Sequence, residues 1–230
     1  IENSKKNNLT TILTINTDPK KFNDHLALIE DYNNIYISYG LHPDFIDNKT
    51  IFSTDKILSF CNHPKVIGIG ETGLDLYHST KFIIKQKEIF ENHILSSIQS
   101  KLPLIIHQRN SENEIMDVLK NYKDKNLSIV FHCFTGSKKL LKFCIDNNYY
   151  ISLSGIVTFK NANILRNVIS NAPLEYLLIE TDSPYLAPVP MRGKINEPSY
   201  VKFIAEYLAD FYNMEKDEFF KLTDNNFFKL

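Results

Sequence analysis

The 230-residue sequence has almost no net charge: 26 Lys and Arg against 27 Asp and Glu leave −1 at neutral pH. This balance excludes a global basic field that would draw the chain to nucleic acid or to an anionic membrane. A phosphate-bearing partner must therefore be held by local charge or by metal. No apolar run approaches the ~18 residues of a membrane span, so no membrane association is expected. The three cysteines, Cys61, Cys133 and Cys144, are odd in number and show no CxxC spacing. Reduced thiols in a cytoplasmic protein fit that usage better than a disulfide framework. Repeats, low-complexity tracts and linkers are missing too, so a single domain over residues 1–230 is expected, and no obligate protein partner is implied. The opening IENSKKNN has neither an initiator Met nor a signal-peptide pattern. It reads as the tail of a helix whose start lies upstream.

Short β-rich runs alternate with amphipathic segments along the whole length. Strands are expected at about 9–15, 35–40, 66–70, 103–107, 128–132, 149–154 and 176–181, each poor in charge, as suits parallel strands covered on both faces. Between them, Phe90, Ile94 and Ile98 share one face of a helix over 86–101. The stretch SENE (111–114) reads as a capping box, with Ser111 as N-cap and Glu114 reaching back, for a helix through Lys120. Ser137 is placed to cap a helix to about Asp146. Val201, Ile204, Ala205 and Leu208 form a stripe on a helix within 197–212. This alternation predicts an α/β fold with a parallel sheet, either open or closed as a (β/α)8 barrel. A barrel needs eight strands and seven are legible, so the first is expected upstream of residue 1. GIGETG (68–73) imitates the glycine spacing of a dinucleotide loop, but Glu71 fills the turn and no phosphate cradle accompanies it.

The run VIGIGETGLD (66–75) raises a sharper question, because an apolar strand there meets the carboxylate Glu71 and then Asp75. The other runs behave alike. IYISYG leads into His42, PLIIH ends in His107, SIVFH ends in His132, and YLLIETD ends in Asp182. Five of seven strands are thus expected to finish in a group that can bind metal or move a proton, and barrel enzymes build their sites on that rim. Imidazoles and carboxylates suit Zn²⁺, Mn²⁺ or a related ion. Glu71, with two oxygens, can bridge a pair of ions, and such a pair can activate water for displacement at phosphorus. His25, His63 and His93 read as ordinary surface or half-buried residues. His78 lies nearer the rim, and Cys133 is expected to point away from His132 by strand alternation.

GLHP, GIGETGLD, IIHQR, VFHCFTG, LIETDSPYL and RGKINEP occur in the order and spacing of the TatD family of metal-dependent deoxyribonucleases, within the amidohydrolase superfamily, and the chain resembles that family from about residue 9 to the terminal NFFKL. The resemblance implies a (β/α)8 barrel with two divalent ions (Mg²⁺, Mn²⁺ or Zn²⁺) that hydrolyses phosphodiester bonds of DNA from an end. Carried over by position, Glu71 is the bridging carboxylate, and His107 and His132 are ligands of the second ion. Asp182 is a ligand of the first ion that also takes a proton from the attacking water. His42 and Asp75 correspond to positions beside the substrate and behind the ligands. Arg109 is placed for a phosphate, since its planar fork can bind one bidentately. Arg192 and Lys194 are further basic candidates, readable equally as solvated loop residues.

Two departures from the family pattern stand out. The family's first strand ends in a His-x-His pair that holds the first ion, and no such pair occurs here. Ile195 stands where the family usually has a basic residue before Asn196-Glu197-Pro198. The readings to be separated are therefore a metal-dependent DNase, a hydrolase of another ester or an amide on the same rim, and a metal-binding protein without activity. Fold alone does not separate them.

Overall fold

The computed structural model describes residues 1–230. In chain order the elements are α1 (Glu2–Lys6), β1 (Ile12–Thr14), α2 (Phe22–Ile29), β2 (Ile35–Tyr39), α3 (Thr54–Cys61), β3 (Val66–Asp75), α4 (Ile83–Ser100), β4 (Leu104–Arg109), α5 (Glu112–Lys120), β5 (Ile129–Phe131), α6 (Lys138–Asp146), β6 (Tyr150–Leu153), α7 (Asn163–Ile169), β7 (Leu177–Ile179), α8 (Val201–Phe211) and α9 (Lys216–Lys229). All seven expected strands form, and the opening residues are helical as expected. The chain divides into two compact units, residues 11–131 and residues 1–10 with 132–230.

In the first unit β1 to β5 pair in sequence order, every pair parallel. Parallel neighbours need a crossover, and the helices between the strands supply it. Each helix turns an apolar face inward: Phe22 and Ile29 of α2, Ile57 of α3, and Ile89, Phe90 and Ile94 of α4 are buried. The rings of Phe22, Tyr39 and Phe60 pack at centroid distances of 4.9 to 5.0 Å edge-on and 4.2 Å stacked. Burying a ring of this size is worth roughly 2–3 kcal/mol.

Strand β3 differs from expectation in a way that matters for the site. It does not stop at Gly70 but runs on through Glu71 to Asp75, buried along nearly its whole length. Its pairing with β4 shifts register between Ile69 and Thr72, then resumes with Gly73 opposite His107 and Asp75 opposite Arg109. Gly73 has φ +136, and a Cβ there would lie 2.1 Å from the His107 carbonyl oxygen. Only glycine allows that approach. Strand β4 likewise passes His107 and ends at Arg109.

Ser111 is also used differently. It stands at the N-cap of α5 but makes no side-chain cap. Its buried hydroxyl donates to the Leu74 carbonyl at 2.7 Å instead, so the capping box does not form and the serine ties α5 to β3.

In the second unit β6 and β7 are parallel. Ser137 accepts the Leu140 N–H and caps α6 as expected. Ile204, Ala205 and Leu208 of α8 are buried, while Val201 at its start is only half-buried. The Asn226 amide of α9 donates to the carbonyls of Leu174 and Leu177, both at 2.8 Å, and so anchors that helix to the start of β7.

Candidate metal centre

In the unit of residues 11–131, three strands deliver side chains to one place. Potential ligand atoms of His42, Glu71 and His107 all lie within 4.8 Å of one another. His42 follows β2 and starts a short 3-10 turn, Pro43–Phe45. Its backbone N–H donates to the Thr17 carbonyl at 2.9 Å. Its Nδ1 accepts the Asp44 N–H at 3.1 Å, so a neutral His42 carries its proton on Nε2. That atom lies 3.5 Å from Glu71 Oε1. Burial lowers the His42 pKa, against the pull of Glu71, which favours this neutral form. His42 therefore faces the cluster as a hydrogen-bond donor, which agrees with a place beside substrate better than with a ligand role.

His107 is held on both sides. Its Nδ1 is 2.9 Å from Glu71 Oε1, and its Nε2 is 3.0 Å from Asp75 Oδ2. A neutral imidazole has one N–H and cannot donate to two carboxylates. With the proton on Nε2 for Asp75, the Nδ1 lone pair faces the Glu71 oxygen, and a cation belongs between two such donors. Glu71 is only 6% exposed and Asp75 5%, so neither negative charge is left to bulk water. The imidazole–carboxylate set, in which the outer carboxylate fixes the tautomer, fits a divalent metal such as Zn²⁺ or Mn²⁺.

Asp75 is itself fixed. Burial acts to raise its pKa, but hydrogen bonds from His107 and the Tyr77 N–H, with the nearby charge of Arg109, bring it below the ordinary carboxylate value. Gln86 of α4, also buried, accepts the Asp75 N–H at 3.2 Å and donates to the Asp75 carbonyl at 3.3 Å. The sequence reading passed over Gln86. Its signal was a polar residue on the apolar face of α4, four before Phe90.

In the other unit, His132 lies one residue beyond β5 rather than inside it as expected, and Asp182 lies three beyond β7 rather than directly at its end. His132 Nδ1 is 2.9 Å from Glu180 Oε1, and the same oxygen accepts the Cys133 N–H at 2.8 Å. Glu180 was missed, although LIETD offers it two residues before Asp182. Cys133 does not follow strand alternation, because it sits in a turn with φ +43. Its thiol lies 3.2 Å from Ser154 Oγ. Burial, reinforced by Glu180, pushes its pKa up to about 12, so it stays a thiol. Asp182 takes the left-handed region at φ +58, and its carbonyl accepts the Tyr185 N–H. Asn196 braces this loop by donating to the Thr181 carbonyl at 2.8 Å.

The basic candidates separate. Arg192 donates to the Ala187 carbonyl at 3.1 Å and lies 3.8 Å over the Phe159 ring, so it anchors its own loop. Lys194 and Ile195 are exposed in that loop. Arg109 stacks on Tyr77. The remaining histidines serve the scaffold: His25 pairs with Asn16, His63 with the Lys65 N–H, and His93 is wholly buried. His78 packs edge-on against Tyr77.

Parallel β/α units presenting imidazole–carboxylate groups in and just after the last residues of their strands are the kind of site a metal-dependent hydrolase uses. The chain matches the family model described as TatD related DNase over residues 1–230, and it belongs to that family. A metal-dependent hydrolase of Buchnera aphidicola subsp. Baizongia pistaciae, of uncharacterized activity, is 40% identical over 100% of this chain and 86% of its own length. The 3'-5' ssDNA/RNA exonuclease TatD of Salmonella typhimurium is 30% identical over 87% of this chain and 79% of its own. The crystal structure of YJJV, a TatD homologue from Escherichia coli K12, superposes with a TM-score of 0.89 at 26% identity, covering 98% of this chain and 87% of that one. The fold is thus the α/β fold of the TatD proteins, the β/α class expected from the sequence.

Proposed function

We propose that this chain is a divalent-metal-dependent hydrolase of phosphodiester bonds in DNA, acting from a strand end with two ions. The observation that carries the reading is the His107 imidazole between two carboxylates, with Glu71 Oε1 at 2.9 Å on the side shared with His42. The exonuclease relative in Salmonella supports a nucleic-acid substrate. When bound, a divalent ion here supplies Lewis acidity, lowering the pKa of water from 15.7 toward ~7.

The chain's own residues do the rest. Asp75 accepts the His107 Nε2 proton, which keeps the Nδ1 lone pair directed at the Glu71 side. Glu71 contributes carboxylate oxygens to the same place; in the unit of residues 132–230, His132 and Asp182 are the ligands proposed from the family pattern. Asp182, the position the family pattern gives to a ligand and general base, carries the carboxylate that would take a proton from water. His42, protonated on Nε2, donates to a substrate oxygen beside Glu71. Burial keeps this donor neutral against the pull of Glu71 and Asp75.

The test follows nucleotide release from a single-stranded DNA oligomer by the full-length protein in Mg²⁺ or Mn²⁺, with EDTA and Glu71→Gln as controls. Metal-dependent release that falls by at least 100-fold in Glu71→Gln is expected. Metal binding without release from DNA or from a simple phosphodiester would move the substrate to another ester or to an amide.

A further inference from the structure

Arg109 is an arginine with nothing on its donors. It is exposed, and its guanidinium carbon lies over the Tyr77 ring, 3.7 Å from the centroid. Its five N–H groups make no hydrogen bond and no ion pair with the protein. The contrast with Arg192, whose guanidinium donates to a backbone carbonyl, shows what an anchoring arginine looks like in this chain.

The placement of Arg109 comes from strand register. Side chains two apart on a strand share a face, so Arg109 follows His107 along β4 on the side of the metal cluster. Asp75 pairs with Arg109 in the ladder, and the Leu76 N–H donates to the Arg109 carbonyl at 2.9 Å. That brings Tyr77 across from the end of β4. The Tyr77 N–H in turn donates to Asp75 Oδ1 at 2.9 Å, while Asp75 Oδ2 holds His107. One carboxylate therefore fixes both the histidine of the cluster and the ring that carries the arginine. Tyr77 remains 54% exposed.

A guanidinium held over a ring loses less freedom on binding than a free side chain, and its planar fork matches two phosphate oxygens. Two strand residues span about 6.6 Å, comparable with one nucleotide step of an extended single strand. We infer that Arg109, held by Tyr77, binds the backbone phosphate next to the one being cleaved, so that the site selects a polynucleotide chain over an isolated phosphodiester. This rests on the phosphodiesterase reading above and names what that site recognises beyond the scissile bond.

The experiment compares two substrates of the full-length protein at saturating Mn²⁺: a ten-nucleotide oligothymidylate and bis(p-nitrophenyl) phosphate, which has a single phosphate. Arg109→Gln is expected to raise KM for the oligonucleotide about tenfold and to lower kcat/KM for the small diester by a clearly smaller factor. The salt dependence of log KM for the oligonucleotide should lose a slope of about 0.7, the value for one phosphate contact on a single strand. Tyr77→Phe should behave as the parent, Tyr77→Ala should raise KM several-fold, and Arg109→Lys should not restore the parent value, because an ammonium neither stacks nor forks. An active DNase with unchanged KM and salt slope in Arg109→Gln overturns the inference and leaves the phosphodiesterase reading standing. Equal losses on both substrates would show that Arg109 acts only through Asp75, and would also overturn it. A parent protein that hydrolyses neither substrate with any ion removes the reading on which the inference rests.

Discussion

Asp75 and Glu180 each stand behind a histidine, and in each case the carboxylate decides which ring nitrogen faces outward. Asp75 takes Nε2 of His107, and Glu180 takes Nδ1 of His132 while also holding the Cys133 N–H. A carboxylate partner orients the ring and raises its basicity, and losing one typically costs 10–100-fold in metal affinity. Glu180→Gln keeps the shape but weakens both bonds. Its affinity for Mn²⁺, measured by titration calorimetry, is expected to fall about tenfold or more, with little change in the melting temperature of the metal-free protein. Unchanged affinity would reduce Glu180 to a brace for the turn. The sequence reading picked Asp182 from LIETD and passed over Glu180. An acid two residues from another is visible in sequence, but which of them meets an imidazole depends on where the strand stops. β7 stops at Ile179.

Among the elements, α4 does more than cover the sheet. Gln86 brackets the Asp75 backbone, and His93, two turns further along the same face, accepts the Leu41 N–H through Nε2 at 3.2 Å while its Nδ1 donates to the Ile89 carbonyl at 2.7 Å. The helix thereby holds the residue before His42. Burial lowers the His93 pKa from 6.5 to about 4. The folded state thus resists protonation while the unfolded chain accepts a proton below 6.5. The stability tied to neutral His93 is fully present above pH 6.5 and is lost as pH falls toward 4, on the order of 3 kcal/mol in all. Urea unfolding of the parent and of His93→Gln between pH 7.5 and 4.5 should show the gap between them narrowing as pH drops. Parallel curves would mean that His93 is protonated in the fold. The heptad-like positions of α4 were legible as a helix, yet His93 read as an ordinary half-buried residue, because helical spacing says which face a residue is on and not what polar atom waits opposite.

For the molecule as a whole, donor atoms gathered in the folded chain are dispersed in the unfolded one, so metal binding adds directly to stability. At a free ion concentration of 100 times Kd the gain is about 2.7 kcal/mol, which for a chain of this size raises the melting temperature by roughly 5–10 °C. Differential scanning calorimetry with Mn²⁺ and then EDTA is expected to show that rise and its reversal, and Glu71→Gln is expected to abolish most of it. A melting temperature indifferent to divalent ions would contradict a preformed centre. The β/α order, the family and the grouping of Glu71 and His107 as candidate ligands with His42 beside them were legible in the sequence itself, since apolar runs, turn residues and motif spacing are local properties of a chain. That β3 runs through Glu71 to Asp75, that Ser111 bonds Leu74 rather than capping α5, that His107 lies between two carboxylates, and that the Arg109 guanidinium lies over Tyr77 were decided only by the tertiary structure. Each of these depends on the register between strands and on which buried polar group finds a partner. Those choices are made between residues far apart in sequence, where burying an unpaired polar atom costs more than local preference can offset.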